Sequence, residues 1–170
     1  MRDYVSLWRI GTTAGTYRAD DLSGAGAAAV GGRYNSPGTA VVYTSASVAL
    51  AVLETVVHFA ARASEQANRY LIEVAVPQAI YDARQALTVD QLQRDYPFWE
   101  AVPFAEASQA VGDNWVASGV SALLELPSAI VGYRGVPDCN VLINPAHPDA
   151  EHIVVVRRER FIYDPRIRPG

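Results

Sequence analysis

Residues 41–59 read Val41-Val42-Tyr43-Thr44-Ser45-Ala46-Ser47-Val48-Ala49-Leu50-Ala51-Val52-Leu53-Glu54-Thr55-Val56-Val57-His58-Phe59. The first four residues predict a short buried strand, because β-branched and aromatic side chains suit a pleated surface. Ser45 or Ser47 can accept a hydrogen bond from the free N–H groups of a helix start. The Ala-, Val- and Leu-rich run that follows predicts a helix over residues 47–63. That helix is apolar nearly all round, as buried helices are, and one carboxylate interrupts it. Burying Glu54 without a partner is costly. It is therefore a structural carboxylate tied to backbone or an arginine, a group turned to solvent, or a group kept for chemistry; pattern alone balances structure against function evenly. His58 lies four residues on and shares a helix face with Glu54 and Leu50. There it either orients the carboxylate or fills space beside it.

Working outward, residues 5–10 (VSLWRI) predict a first strand. Residues 11–40 are glycine-rich, with a short helix around 26–30, and such a stretch near the start of a compact domain is more often a ligand-embracing loop than idle coil. Residues 69–76 (RYLIEVAV) predict a strand ended by Pro77. Helices are expected near 89–95 and 108–118, and strands at 129–131, 141–143 and 153–157, with a weaker one at 161–163. Few helices among strands, joined by connections of very unequal length, predict an α+β fold rather than a βαβ repeat. No repeat or linker divides the 170 residues, so one domain is expected over 1–170.

Composition narrows the class. The formal charge is −4, all basic residues are arginine, and no long basic block occurs, which argues against direct nucleic-acid binding. Arginine forks still suit paired phosphate oxygens, so small phosphorylated ligands remain open. Cys139 is the only cysteine, and no apolar run approaches a membrane span or a signal region. A cytoplasmic protein with neither a membrane segment nor a disulfide is expected.

Three motifs invite other assignments. Gly24-Ala25-Gly26-Ala27-Ala28-Ala29 matches the dinucleotide fingerprint formally, but polar, non-strand residues lead into it and no acidic residue follows about 20 positions on. No Gly-x-Ser-x-Gly elbow supports a serine hydrolase. His147, Asp149 and His152 lie close together, yet Pro145 and Pro148 flank His147, so a fixed turn is favoured and no metal is expected.

Arg33 sits in Gly31-Gly32-Arg33-Tyr34-Asn35-Ser36-Pro37-Gly38. Paired glycines let backbone approach a ligand, and the guanidinium can clamp a phosphate; an exposed turn arginine is the alternative, and on this motif alone it is the better one. Tyr43 either packs in the core or stacks on a flat ring, its hydroxyl left for a hydrogen bond. In order and spacing, several segments resemble the RES family, the toxin halves of bacterial toxin–antitoxin pairs. These are Leu7-Trp8-Arg9-Ile10, Leu22-Ser23-Gly24-x-Gly26, Gly31-Gly32-Arg33-Tyr34-Asn35, Val42-Tyr43-Thr44 and Leu53-Glu54-x-x-x-His58. Two later ones complete the set: Leu126-Pro127-Ser128-Ala129-Ile130-Val131 and the run from Asn140 to Pro148.

The resemblance implies an ADP-ribosyltransferase-like fold acting on NAD+ as substrate. Arg33, Tyr43, Glu54 and Ser128 match the family's four main positions, and Arg9, His58 and Asn140 match as further pocket lining. In the roles implied, Glu54 stabilises positive charge at the ribose and Arg33 holds the pyrophosphate. Tyr43 stacks against the nicotinamide or its ribose, and Ser128 bonds the nicotinamide end. The resemblance also implies an Xre-type helix-turn-helix antitoxin as partner, which would take over any contact with DNA. The acceptor of ADP-ribose, water or a host protein side chain, stays open. A non-catalytic module that binds nucleotide or antitoxin is the alternative. Residues 77–120 match least.

Overall fold

The alternating strand pattern at the N-terminus and the apolar run at 69–77 meet as neighbours. β1 (Tyr4–Thr12) pairs antiparallel with β3 (Arg69–Pro77) over the whole length of both. In the computed structural model, which describes residues 3–58, 67–131 and 138–167, these strands sit within a seven-stranded sheet. The remaining strands are β2 (Val42–Ser45), β4 (Gln85–Ala86), β5 (Leu123–Pro127), β6 (Cys139–Ile143) and β7 (Val154–Arg160). Their order across the sheet is β4-β5-β6-β2-β1-β3-β7, and among the described residues only the β4–β5 pairing is parallel. The described residues also form five short α-helices, α1 (Ala25–Val30), α2 (Val48–Val56), α3 (Gln78–Asp82), α4 (Val89–Asp95) and α5 (Glu106–Ser118), and a 3₁₀ helix at Pro148–His152. The fold is α+β, as the sequence predicts. Among the described residues no helix is long and apolar enough to cross a membrane.

Strand alternation divides the core between the two sheet faces. Leu123, Val141 and Ile143 join Leu7, Val42, Ile72, Val74 and Val76 in one cluster. Their strand neighbours Leu124, Leu126 and Leu142 join Tyr34, Leu92, Trp99, Val111 and Trp115 in the other. Residues 71–76 of β3 are buried throughout, Glu73 included, and β1 and β7 flank the strand within the sheet.

Several expectations are corrected. Residues 129–131 form a turn, and the strand of that region is β5, which ends at Pro127. Ser128 Oγ accepts the N–H groups of Ile130 and Val131, and this local bonding overrides their β-propensity. Residues 161–163 are not a strand, although Phe161 N–H still donates to the Arg69 carbonyl. Helix α2 closes at Val56 and Val57-His58 form a turn; the expected continuation over 59–63 lies outside the described residues. α3 and β4 were not expected.

Candidate active site

Glu54 lies on α2, which starts where Ser47 Oγ accepts the Leu50 N–H, so that serine and not Ser45 is the cap. The helix packs on β1 and β2 and presents Glu54 to a cleft of about 490 Å³, within the size range of small-molecule sites. β1, β2, β3, β6, α2, the glycine turn at 31–34 and Phe104 contribute to its wall. The cleft brings together Arg9, Arg33, Tyr43, Glu54, His58 and Asn140, six of the seven residues singled out in the sequence.

The seventh, Ser128, stands directly behind Glu54. Its hydroxyl donates to Glu54 Oε1 at 2.7 Å, and Asn140 Nδ2 donates to the same oxygen at 2.6 Å. Both donors are themselves held. Ser128 Oγ accepts from two backbone N–H groups, which turns its one proton to the carboxylate. Asn140 Oδ1 accepts the Ser45 hydroxyl at 2.8 Å, which leaves its NH₂ for Glu54. The half-buried carboxylate is thus not orphaned, and among the described residues no arginine pairs with it. Charge-assisted bonds of this length fix one oxygen firmly, while no described residue bonds the other. Ser128 is fully buried, and its hydroxyl proton is engaged by Glu54. His58 is exposed in the turn after α2 and does not bond Glu54.

Arg33 reaches across the cleft wall rather than into solvent. Its Nη1 donates to the carbonyls of Trp99 and Ala101, each at 3.0 Å, leaving its other N–H donors without a described partner. Gly32 is required beside it, since a Cβ there would stand 2.7 Å from Tyr43 Oη. Tyr43 does not keep its hydroxyl free: it donates to Asn35 Oδ1 at 2.7 Å and accepts the Tyr34 N–H at 3.0 Å. Burial pushes the Tyr43 phenol above its ordinary range, so it stays a neutral clamp on the glycine turn. Arg9 borders the cleft, but its Nη1 donates to the Asp21 carbonyl at 3.2 Å. Burial lowers its pKa, with the Asp21 charge opposing.

The structure adds residues that the sequence did not mark. Arg69 and Trp8 line the cleft from adjoining strands, and Phe104 lines it from the segment before α5. α5 holds the arginine turn from outside: Gln109 Nε2 donates to the carbonyls of Gly32 and Asn35, and Asp113 Oδ1 accepts the Ser36 N–H. Partial burial would raise the Asp113 pKa, yet the Ser36 bonds hold it below the usual carboxylate range. These links join residues 66–77 positions apart, and no local motif signals them. His147 caps a 3₁₀ turn at 148–152, its Nδ1 accepting the Asp149 N–H. Gly24 is entered from the loop after β1 rather than from a strand.

The model of one protein family, the RES domain, matches residues 6–164. Over 162 residues the chain is 45% identical to the Prs ADP-ribosylating toxin of Sphingobium sp. (strain YBL2), covering 95% of this chain and 96% of that protein. Over 155 residues it is 33% identical to Toxin Res of Yersinia enterocolitica, covering 89% and 93%. A chain in the crystal structure of the M. tuberculosis MbcT-MbcA toxin-antitoxin complex superposes with a TM-score of 0.63 at 19% identity, covering 94% of this chain and 85% of that one. At that identity the likeness concerns the fold.

Proposed function

Because the chain belongs to the RES-domain family, we propose that it is the toxin of a toxin–antitoxin pair and cleaves the nicotinamide–ribose bond of NAD+ in the Glu54 cleft. The observation that carries this is a carboxylate with one oxygen pinned by Ser128 and Asn140 on the wall of a cleft that also holds the Arg33 guanidinium. The donor set fits a dinucleotide. Arg33 offers N–H donors for phosphate oxygens, Arg69 adds cationic charge, and Trp8, Tyr43 and Phe104 offer aromatic surface for flat rings.

Breaking the C–N bond sends its electron pair to the nicotinamide nitrogen, which leaves neutral, so little acid assistance is needed. Positive charge develops at the ribose instead. Glu54 stabilises that charge, as carboxylates do in glycosidases, and its fixed position avoids reorganisation at the moment of reaction. Arg33 grips the pyrophosphate, and the carbonyls of Trp99 and Ala101 hold its guanidinium ready. Ser128 and Asn140 act through Glu54. Transfer to water releases ADP-ribose; transfer to a protein side chain makes the chain an ADP-ribosyltransferase.

The relative named an ADP-ribosylating toxin supports the NAD+ assignment, and the toxin–antitoxin title of the solved neighbour supports an antitoxin partner. We assign that partner to the Xre helix-turn-helix class, place the pair in the cytoplasm and treat 1–170 as one RES domain. Glu54→Gln is expected to keep the fold and to cut nicotinamide release by about 100-fold or more. Equal release by parent and variant would remove Glu54 from the chemistry. Incubating the parent with labelled NAD+ alone, then with host extract, separates the acceptors: free ADP-ribose in the first marks hydrolysis, and a labelled protein band only in the second marks transfer. NAD+ binding without any nicotinamide release would instead favour a non-catalytic module.

A further inference from the structure

Buried polar side-chain atoms nearly always have a hydrogen-bond partner, and an exception calls for a reason. Tyr34 Oη and Trp99 Nε1 are two such exceptions. Both residues are 2% exposed and pack in one cluster with Leu92, Val111 and Trp115. They differ in one respect: Tyr34 also lines the cleft, next to Arg33, whereas Trp99 is not among the lining residues.

The Tyr34 backbone is tightly held. Its N–H donates to Tyr43 Oη at 3.0 Å, and its carbonyl lies so close to Gly112 that a Cβ there would approach it to 1.7 Å. The ring is wedged among apolar neighbours, so the hydroxyl has a defined position without a protein acceptor. Burial pushes the phenol pKa up and the Glu54 carboxylate adds to that effect, with Arg33 opposing. At neutral pH the group is therefore a proton donor, and it lies within electrostatic reach of Glu54.

Resting on the NAD+ reading of the cleft, we propose that Tyr34 is a further substrate-contacting residue, its phenolic hydroxyl donating a hydrogen bond to an oxygen at the nicotinamide–ribose end of NAD+. Tyr34 and Glu54 line the same cleft, and Glu54 serves the ribose, which selects that end. Binding then supplies the acceptor that the folded chain withholds.

Tyr34→Phe separates this role from a core role, because it removes the hydroxyl and keeps the ring. Deleting an unsatisfied buried hydroxyl is neutral or stabilising for the fold. The expected result is a Tm equal to or above the parent's, with kcat/KM for nicotinamide release about 3- to 10-fold lower, the worth of one hydrogen bond. An unchanged kcat/KM overturns the assignment, and so does a loss of activity that comes with a lower Tm. If the parent releases no nicotinamide, the cleavage reading fails separately, and the two proteins are compared by calorimetric titration with NAD+. Weaker binding by the variant upholds the contact; equal binding, or none by either, overturns it.

Discussion

Ser128 and Asn140 both donate to the same oxygen of Glu54. Ser128→Ala removes one of the two donors while leaving Asn140 in place. A hydrogen bond to a charged group is worth about 1.5–3 kcal/mol, so kcat for nicotinamide release should fall roughly 10- to 100-fold. An unchanged kcat would mean that Glu54 holds its position without the hydroxyl. Cys139, the next residue to Asn140, supports a prediction of opposite kind. Burial, with the Glu125 charge adding and Arg84 opposing, pushes its thiol up to about 11 from 9.0. The thiolate is the reactive form, so near-neutral pH leaves about 100-fold less of it than an unperturbed thiol would show. Iodoacetamide at pH 7.5 should label the native protein far more slowly than the unfolded chain, with native labelling rising as pH approaches 11. Intact-mass kinetics would read this, and equal rates at pH 7.5 would contradict the burial of Cys139.

At the level of elements, α5 and the 31–36 turn are fitted to each other through Gln109, Asp113 and Gly112. In an isolated helix Gly→Ala gains up to about 1 kcal/mol. Gly112→Ala here sets a methyl group 1.7 Å from the Tyr34 carbonyl oxygen, so helix or turn must shift. Overpacking of this kind costs about 1–3 kcal/mol and outweighs the propensity gain. Tm should fall by a few degrees, about 2–4 °C per kcal/mol at this chain length, and KM should rise because the displaced turn carries Arg33. A higher Tm would show that the close approach is not maintained. The same elements mark what could be read from the chain. The β2–α2 unit was legible because its strand pattern, serine cap and apolar helix are local. β5 was missed because Leu123–Pro127 offers no alternation, while Ala129-Ile130-Val131 has strand composition but is turned by Ser128. Six site residues were legible from motif order and do meet in the cleft, whereas the hydrogen bonds of Ser128 and Tyr43 were not legible. Those bonds involve partners such as Asn35, or residues 74 and 86 positions apart, and neither follows from composition.

Across the whole molecule, the cleft draws its lining from elements that support both core clusters. Tyr34 and Tyr43 tie its wall to one cluster, and β1, β2, β3 and β6, whose other residues build the second, complete the wall. A ligand bound there contacts both faces' supporting structure at once, so it should stabilise the chain as a unit rather than a lobe of it. The Glu54→Gln protein allows the measurement, because it should bind NAD+ without consuming it. At a free NAD+ concentration 100 times Kd, linkage adds about 2.7 kcal/mol to the folded state. For a chain of this length that corresponds to a Tm rise of about 5–10 °C. Scanning calorimetry should show one transition that moves upward intact as NAD+ increases. A transition that splits, with only its later part shifted, would mean that the cleft is coupled to one face of the sheet alone. No shift at saturating NAD+ would remove the dinucleotide from this cleft altogether.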